Sequence, residues 1–198
     1  MKIIDIKTTI VNAEMRNWVF VKIITDQDVY GWGEATVEWK TRAVVGAIED
    51  LKPLLIGKDP RDIKQNFQIM TKHGFWKLGV IGMSAISGIE HALWDILGKS
   101  LNTPVWQLLG GKVRNKIKIY THLGMGDMKA VYRDTMEKNK LNEHAAALIE
   151  KGYKAFKVVF IPFTHHTNAV KNLEKINQLM ASLRDEVGDD IDIMVDFH

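Results

Sequence analysis

Two side chains able to do acid-base or metal chemistry close the sequence, after a short apolar segment. The segment 191–195 reads Ile-Asp-Ile-Met-Val, and Asp196 and His198 follow it. Residues two apart in a β-strand project from the same face, so a strand continuing to 198 would present a carboxylate beside an imidazole. Ligand sites of parallel α/β folds lie at the carboxyl ends of strands. The pair therefore predicts a functional site, with a strand-end carboxylate that caps a loop as the alternative for Asp196.

The overall composition is that of an ordinary globular protein of one or two domains. The 198 residues are 46% hydrophobic and 26% charged, which allows a sizeable core. The net charge is +3 without a run of like charge, and this argues against a nucleic-acid partner. The first residues are too charged for a signal peptide, and no continuous apolar run approaches the roughly 18 residues of a membrane span. We therefore expect a cytoplasmic protein without a membrane partner.

The absence of cysteine limits the metal chemistry. It excludes disulfide bonds and thiolate metal sites, so any metal must be held by carboxylate, imidazole or carbonyl groups. Oxygen ligands favour a hard cation such as Mg²⁺.

The first half of the chain predicts a small antiparallel sheet followed by helices. Three segments rich in β-branched and aromatic residues cover 3–12, 18–25 and 28–34. Apolar residues then recur at helical spacing in three segments, one over 41–55, one after Pro60 and one over 84–98. These spacings are typical of strands and of helices packed on one face.

After Gly110 and Gly111 the pattern changes to alternating strands and helices. The predicted elements are strand 116–121, helix 127–151, strand 155–161, helix 168–186 and strand 191–195. This order indicates a parallel sheet with right-handed crossovers. Three strands are too few for an eight-stranded barrel, which typically needs about 250 residues. The pattern alone leaves two interpretations open, the first part of a barrel or a smaller open sheet.

Several segments resemble the enolase superfamily, in its mandelate racemase subgroup. The run 83–99, MSAISGIEHALWDILGK, followed by PVWQLLGG at 104–111, resembles the subgroup's linker helix. GWGEA at 31–35 and LIGKDP at 55–60 resemble its capping domain. The resemblance extends in order along the whole chain and is nearest to the galactonate dehydratase-like acid-sugar dehydratases.

The resemblance implies both the architecture and the cofactor. An α+β capping domain with the linker helix would cover residues 1–112, and the first three β/α units of a (β/α) TIM-type barrel would cover 113–198. Members hold Mg²⁺ with three carboxylates at the ends of successive barrel strands, and Asp196 would be the first of these. The other two ligands and the usual base, a histidine paired with an aspartate, belong to later strands that this sequence does not contain. Members also form homo-oligomers.

The resemblance assigns roles near the ends of the second and third barrel strands. In the dehydratase branch, the histidine two residues after the metal-binding aspartate is the general acid for the departing hydroxyl, which corresponds to His198. Many relatives carry two lysines one residue apart; Lys157 matches the first, and Val159 replaces the second, which is a base. Valine cannot accept a proton, and this argues against two-base racemisation and lysine-based cycloisomerisation.

Four residues are predicted to bind the substrate. His122 lies at the end of the first barrel strand, and Lys157 lies inside an apolar strand, where an unpaired charge is costly. Pairing with a structural carboxylate is the alternative for Lys157. Glu38 and Lys40 occupy the loop that folds over the substrate in relatives, and an exposed helix-start charge is the alternative for Lys40.

The predicted function is the Mg²⁺-dependent dehydration of a sugar acid, a galactonate-like aldonate, to a 2-keto-3-deoxy acid through an enediolate intermediate. One alternative is an acid-sugar epimerase or cycloisomerase of the same superfamily. The other is a catalytically incomplete fragment that acts only as a binding or assembly module.

Overall fold

The chain divides into two compact units, Met1–Val113 and Arg114–His198. The computed structural model describes residues 1–14, 16–123, 138–161 and 170–197.

The first unit packs helices against one face of an antiparallel sheet. Its strands, in the order β1-β2-β3, are β1 (Ile3–Ala13), β2 (Arg16–Thr25) and β3 (Tyr30–Glu34). The helices that follow are α1 (Thr41–Leu55), α2 (Ile63–Lys72), α3 (Gly79–Ser100) and the short α4 (Val105–Leu108). Alternate β2 residues Val19, Val21 and Ile23 are fully buried, so the period of two predicted for a half-buried strand is present.

The backbones of β3 and α3 approach each other unusually closely. A Cβ atom on Gly33 would lie 1.9 Å from the carbonyl oxygen of Gly88, and one on Gly31 would lie 2.0 Å from that of Ala92. Real Cβ atoms essentially never come within 3.0 Å of another heavy atom. Glycine is therefore required at both positions because only a residue without a side chain permits this contact.

Two side chains of α3 hydrogen-bond to the free edge of β3. The Asp95 carboxylate oxygen Oδ2 accepts from the backbone N–H of Trp32 at 2.9 Å and from Lys99 Nζ at 2.6 Å. Lys99 Nζ also donates to the backbone carbonyl of Tyr30 at 2.9 Å. An edge strand leaves such backbone groups without a partner strand, and α3 satisfies two of them.

Helix α3 is apolar because it is a core helix. Within the described residues it is the one helix that is long and apolar enough to cross a membrane by length and composition, although charged and polar residues interrupt its apolar sequence. Its residues Ile89, Leu93 and Ile96 are fully buried against the sheet and neighbouring helices. Packing in the core therefore accounts for its composition.

The turn after α1 attaches this helix to β1. Gly57 has a φ of +81°, and its N–H donates to the carbonyl of Ile3 at 2.8 Å, while the Ile3 N–H donates to the carbonyl of Lys58 at 2.9 Å. Hydrogen bonds from Arg61 lower the pKa of Asp59 to about 2. The LIGKDP segment thus joins strand and helix through its backbone.

The second unit is a parallel sheet covered by helices on one face. Its strands, in the order β4-β5-β6, are β4 (Thr121–Leu123), β5 (Ala155–Ile161) and β6 (Asp192–Phe197), and its described helices are α5 (Lys138–Glu150) and α6 (Val170–Val187). Leu141 of α5 and Leu183 of α6 belong to one core with Leu123, Phe156 and Val158 of the sheet. Helices on the same side of consecutive parallel strands are typical of a barrel, whereas a doubly wound sheet has helices on both faces.

The predicted strand over 116–121 was wrong in its bounds. Strand β4 pairs with β5 from Thr121 opposite Phe156 onward. The residues before Ala155 form the turn that follows α5, in which Gly152 has a φ of +90°, so 116–120 have no strand beside them in the described part of the chain. Ile117 is accordingly 77% exposed. The alternating apolar residues of this segment form no strand, because no neighbouring strand among the described residues hydrogen-bonds with them.

Replacement of Gly33 by alanine should strongly destabilise the first unit, because the new methyl group would overlap the Gly88 carbonyl. We expect a loss of about 3 kcal/mol or more in the free energy of unfolding, measured by urea titration. The control is Gly46→Ala within α1, where a Cβ meets nothing within 4 Å and helix propensity should add about 0.5–1 kcal/mol. Equal stability of Gly33→Ala and wild type would contradict the close contact.

Candidate functional site

The face of the parallel sheet opposite the described helices carries polar side chains. His122 pairs with Lys157 across β4 and β5, and Lys157 pairs with Met194 across β5 and β6, so the three residues form one row. Their neighbours Leu123 and Val158 are fully buried on the helix-covered face, and strand alternation places the row on the other face. Two of the predicted substrate-binding residues, His122 and Lys157, are thus brought together.

Tyr120 joins these two residues, although the sequence analysis did not identify it. Lys157 Nζ lies 5.9 Å from the centre of the Tyr120 ring, within the range of a cation–π interaction. The Tyr120 and His122 rings are 6.4 Å apart and tilted by 59°. The available signal was spacing, because Tyr120 is two residues before His122, and in extended backbone such residues lie on one face. Tyrosine adds a hydroxyl able to donate or accept a hydrogen bond.

An ion pair between Lys118 and Asp192 lies at the other end of this sheet. Asp192 begins β6 and Asp196 lies near its end, so the two carboxylate-bearing positions are about 13 Å apart along the strand. Both partners of the ion pair are more than half exposed, and the pair therefore contributes little to stability.

Asp196 occupies the carboxyl end of β6, as the sequence predicted. The pairing of β5 with β6 shifts register between Val158 and Ile161, and such irregularities often occur at barrel rims beside active sites. The side chain of Asp196 and the whole of His198 lie outside the described part of the structure. Their roles as metal ligand and general acid stay predictions.

In the first unit, Glu38 and Lys40 form a tight turn between β3 and α1. The N–H of Lys40 donates to the carbonyl of Val37 at 3.0 Å. The Glu38 carboxylate lies 3.5 Å from the guanidinium of Arg16 on β2, a partner too distant in sequence to be found by motif reasoning. Trp39 has a φ of +59° and is 67% exposed. This conformation is sparsely populated by large residues, and strained residues of this kind cluster at functional sites as well as occurring in tight turns.

Lys40 places a cation where a helix is already positive. It is the N-cap residue of α1, makes no side-chain capping hydrogen bond, and is followed by a first turn without an acidic residue. The N-terminus of a helix carries a partial positive charge, so a lysine there is unfavourable while an anion is favourable. Such departures from local stability rules are expected at functional sites. The position fits contact with an anionic ligand as well as the alternative of a solvent-exposed charge.

The donor groups of this chain fit a magnesium site only in part. Among the described residues, no group of three or more histidine, aspartate or glutamate residues could hold a metal ion. Asp196 offers one carboxylate at the carboxyl end of a parallel strand, and oxygen is the donor type that Mg²⁺ prefers. Asp196 is the magnesium ligand that the family resemblance assigns to this chain, and this role stays a prediction.

Comparisons with known proteins point to one family. Residues 2–110 match the family described as mandelate racemase / muconate lactonizing enzyme, N-terminal domain. The chain is 40% identical over 181 residues to a D-galactonate dehydratase of Cronobacter sakazakii, covering 91% of this chain and 45% of that protein. The chain thus spans about half the length of the curated relatives it matches.

Two solved structures have a similar fold. One is a member of the enolase superfamily from Salmonella Typhimurium, with a TM-score of 0.86 and 31% identity, over 100% of this chain and 55% of that one. The other is an enolase from Pantoea ananatis with bound D-gluconate and Mg, with a TM-score of 0.82 and 28% identity, over 98% of this chain and 52% of that one.

Replacement of Lys40 by asparagine should stabilise the first unit. Asparagine is a favourable N-cap residue and removes the cation from the positive end of α1, so we expect a gain of about 0.5–1 kcal/mol in unfolding free energy, measured by urea titration. The control is Lys58→Asn in the turn after α1, which should change stability little. A loss of stability in Lys40→Asn would mean that Lys40 has a structural role.

Proposed function

We propose that the protein is an acid-sugar dehydratase, because the chain belongs to the mandelate racemase / muconate lactonizing enzyme family of the enolase superfamily. The family resemblance and the fold class, an α+β capping domain followed by the first units of a TIM-type barrel, are confirmed. The observation that carries the proposal is the 40% identity to a D-galactonate dehydratase over 91% of this chain. The comparison covers only part of the relative, and the activity is proposed for the complete protein.

The proposed substrate is an aldonate with several hydroxyl groups and one carboxylate. The row of His122 and Lys157, with the nearby Tyr120 hydroxyl, offers polar groups that hydrogen-bond to hydroxyls. Lys40 at the positive end of α1 offers a counter-charge for the carboxylate. The bound D-gluconate of the Pantoea ananatis enolase supports this class of ligand.

We propose Asp196 as one ligand of Mg²⁺, with further ligands from outside these 198 residues. Bound Mg²⁺ supplies Lewis-acid stabilisation of the negative charge that develops at the substrate carboxylate when the neighbouring proton leaves. The Mg bound in the Pantoea ananatis enolase supports the assignment, and Asp196 lies at the strand end where ligand sites of such folds are found.

His198 is proposed to donate the proton that makes hydroxide a good leaving group. The carbon next to the carboxylate loses its proton to a base, and the adjacent carbon loses its hydroxyl oxygen, which receives a proton from His198 and departs as water. The enol that remains becomes the 2-keto-3-deoxy acid. Imidazole suits this role because its pKa near neutrality allows both protonation states. Val159 cannot act as the second-strand base, which disfavours epimerisation.

We also propose a cytoplasmic, homo-oligomeric protein. The cytoplasmic location follows from its relatives among metabolic enzymes of sugar acids. The homo-oligomeric state follows from the family resemblance.

The test is a proton-NMR assay of the complete protein over a panel of aldonates and aldarates with Mg²⁺. We expect loss of water from one aldonate with appearance of a 2-keto-3-deoxy acid. Incorporation of deuterium without loss of water would instead indicate an epimerase. An intact mass equal to the 22.6 kDa of this chain, with no turnover, would favour the assembly-module alternative.

Replacement of Asp196 by asparagine should weaken Mg²⁺ binding by at least about tenfold, because a neutral amide replaces a charged oxygen ligand. Calorimetric titration of the complete protein measures the change. Asp192→Asn is the matched control, since Asp192 lies at the opposite end of the same strand. Unchanged affinity in Asp196→Asn would refute the ligand assignment.

Replacement of His198 by asparagine should slow dehydration by about 10²–10⁴-fold while the exchange of the substrate's acidic proton with solvent continues. Both rates are measured in one NMR experiment in deuterated water. His144→Asn on the exposed side of α5 is the control. If exchange and dehydration fall together, His198 is not the specific acid of the second step.

A further inference from the structure

The turn that follows β3 stays attached to β2 after the pairing of the two strands has ended, and side chains make the attachment. Thr36 contacts the backbone of β2, and Glu38 lies beside the guanidinium of Arg16, the first residue of β2. We propose that Thr36 and Arg16 are positioning residues, which hold Lys40 where it can meet the carboxylate of the substrate. The inference rests on the proposed function, in which Lys40 supplies this counter-charge.

The Thr36 hydroxyl takes the place of a backbone acceptor. The Ala35 N–H donates to the carbonyl of Val19 at 2.8 Å. In a regular antiparallel ladder the Val19 N–H would donate back to the Ala35 carbonyl, but here it donates to Thr36 Oγ1 at 3.0 Å. The same hydroxyl donates to Oε1 of the Glu34 carboxylate at 2.7 Å. One side chain therefore joins the end of β3, the turn and β2, and loss of its hydroxyl would leave the Val19 N–H without this acceptor.

The ion pair of Arg16 with Glu38 is a second attachment, two residues further along the turn. Arg16 Nη2 lies 3.5 Å from Glu38 Oε1, and the two side chains are 39% and 35% exposed. An ion pair of this kind adds little to stability, but it acts on a segment that Thr36 already fixes at one point. Two attachments determine both the place and the orientation of the backbone between them, whereas one would allow rotation about it.

The backbone of the turn requires support at Trp39. Its φ of +59° is uncommon for a residue with a large side chain, and such a conformation persists only where the surroundings determine it. Val37 packs against the core of the first unit, and its carbonyl accepts from the Lys40 N–H at 3.0 Å. Loss of an attachment would allow Trp39 to adopt a common conformation, and Lys40, the next residue, would move with it.

The place of Lys40 matters because its cation lies at the positive end of a helix. It is the N-cap residue of α1, and the first turn of α1 contains no acidic residue. A carboxylate held there is attracted by the lysine and by the helix together. A turn that is already ordered binds such an anion without the entropic cost of ordering a loop. Because Lys40 would contact the substrate equally in the ground state and the transition state, its displacement should raise KM and leave kcat unchanged.

The experiment uses the complete protein and compares Thr36→Val, which removes the hydroxyl, with Thr36→Ser, which retains it. Hydrogen–deuterium exchange with mass spectrometry follows the amides of the turn 35–40, and steady-state kinetics with the aldonate that the protein dehydrates give KM and kcat. In Thr36→Val we expect the exchange rate of the turn and KM to rise at least about fivefold, with kcat within about twofold of the wild-type value. In Thr36→Ser both quantities should stay near the wild-type values.

Arg16→Gln and Arg16→Lys form a second pair, which removes or keeps the cation opposite Glu38. We expect the glutamine variant to raise KM about two- to threefold, because the ion pair is partly exposed, and the lysine variant to resemble the wild type. Thr9→Val at an exposed position of β1 is the matched control and should change neither KM nor exchange in the turn. Unchanged exchange of the α3 amides shows that Thr36→Val is folded, and the Arg16 pair decides the proposal if it is not.

With an active wild type, an unchanged KM in Thr36→Val, a fall in kcat at constant KM, or equal KM values for the valine and serine variants would each overturn the positioning role. Faster exchange in the turn without a change in KM would assign the attachments to stability alone and overturn it as well. Absence of turnover by the wild-type protein with every sugar acid would instead contradict the proposed function, and the positioning role with it.

Discussion

The first unit depends on direct backbone contact between an edge strand and a core helix. The glycines Gly31 and Gly33 allow β3 to touch α3 where any side chain would collide. Asp95 and Lys99 then bond the free edge of the strand. Because the loop with Glu38 and Lys40 begins where β3 ends, this contact also determines where the loop leaves the sheet.

Each of the two units carries its own kind of polar groups. The capping unit offers cations beside a helix N-terminus, suited to holding an anion. The barrel unit offers polar and aromatic residues on the face of a parallel sheet opposite its described helices. Parallel sheets are normally covered on both faces. Exposed polar groups such as His122 on this face are therefore better explained by a binding role than by core packing.

The sequence predicted most helices and strands correctly, because the residues that determine them lie within or beside each element. The bounds Thr41–Leu55 of α1 and Ala155–Ile161 of β5 agree with the prediction, since apolar spacing and flanking breakers specify them. The bounds of β4 were missed because a strand needs a partner. Arg16 as the partner of Glu38, and the place of Tyr120 beside Lys157, were missed because these contacts join distant segments. The proposed roles of Asp196 and His198 rest on resemblance.

The turn between β3 and α1 contains a natural optical reporter. Trp39 is largely exposed and is held in a left-handed backbone conformation. Indole emission shifts to shorter wavelength when water around the ring is replaced by less polar matter. Occupation of the space above this turn would thus change the colour of the protein's own fluorescence, with no attached dye.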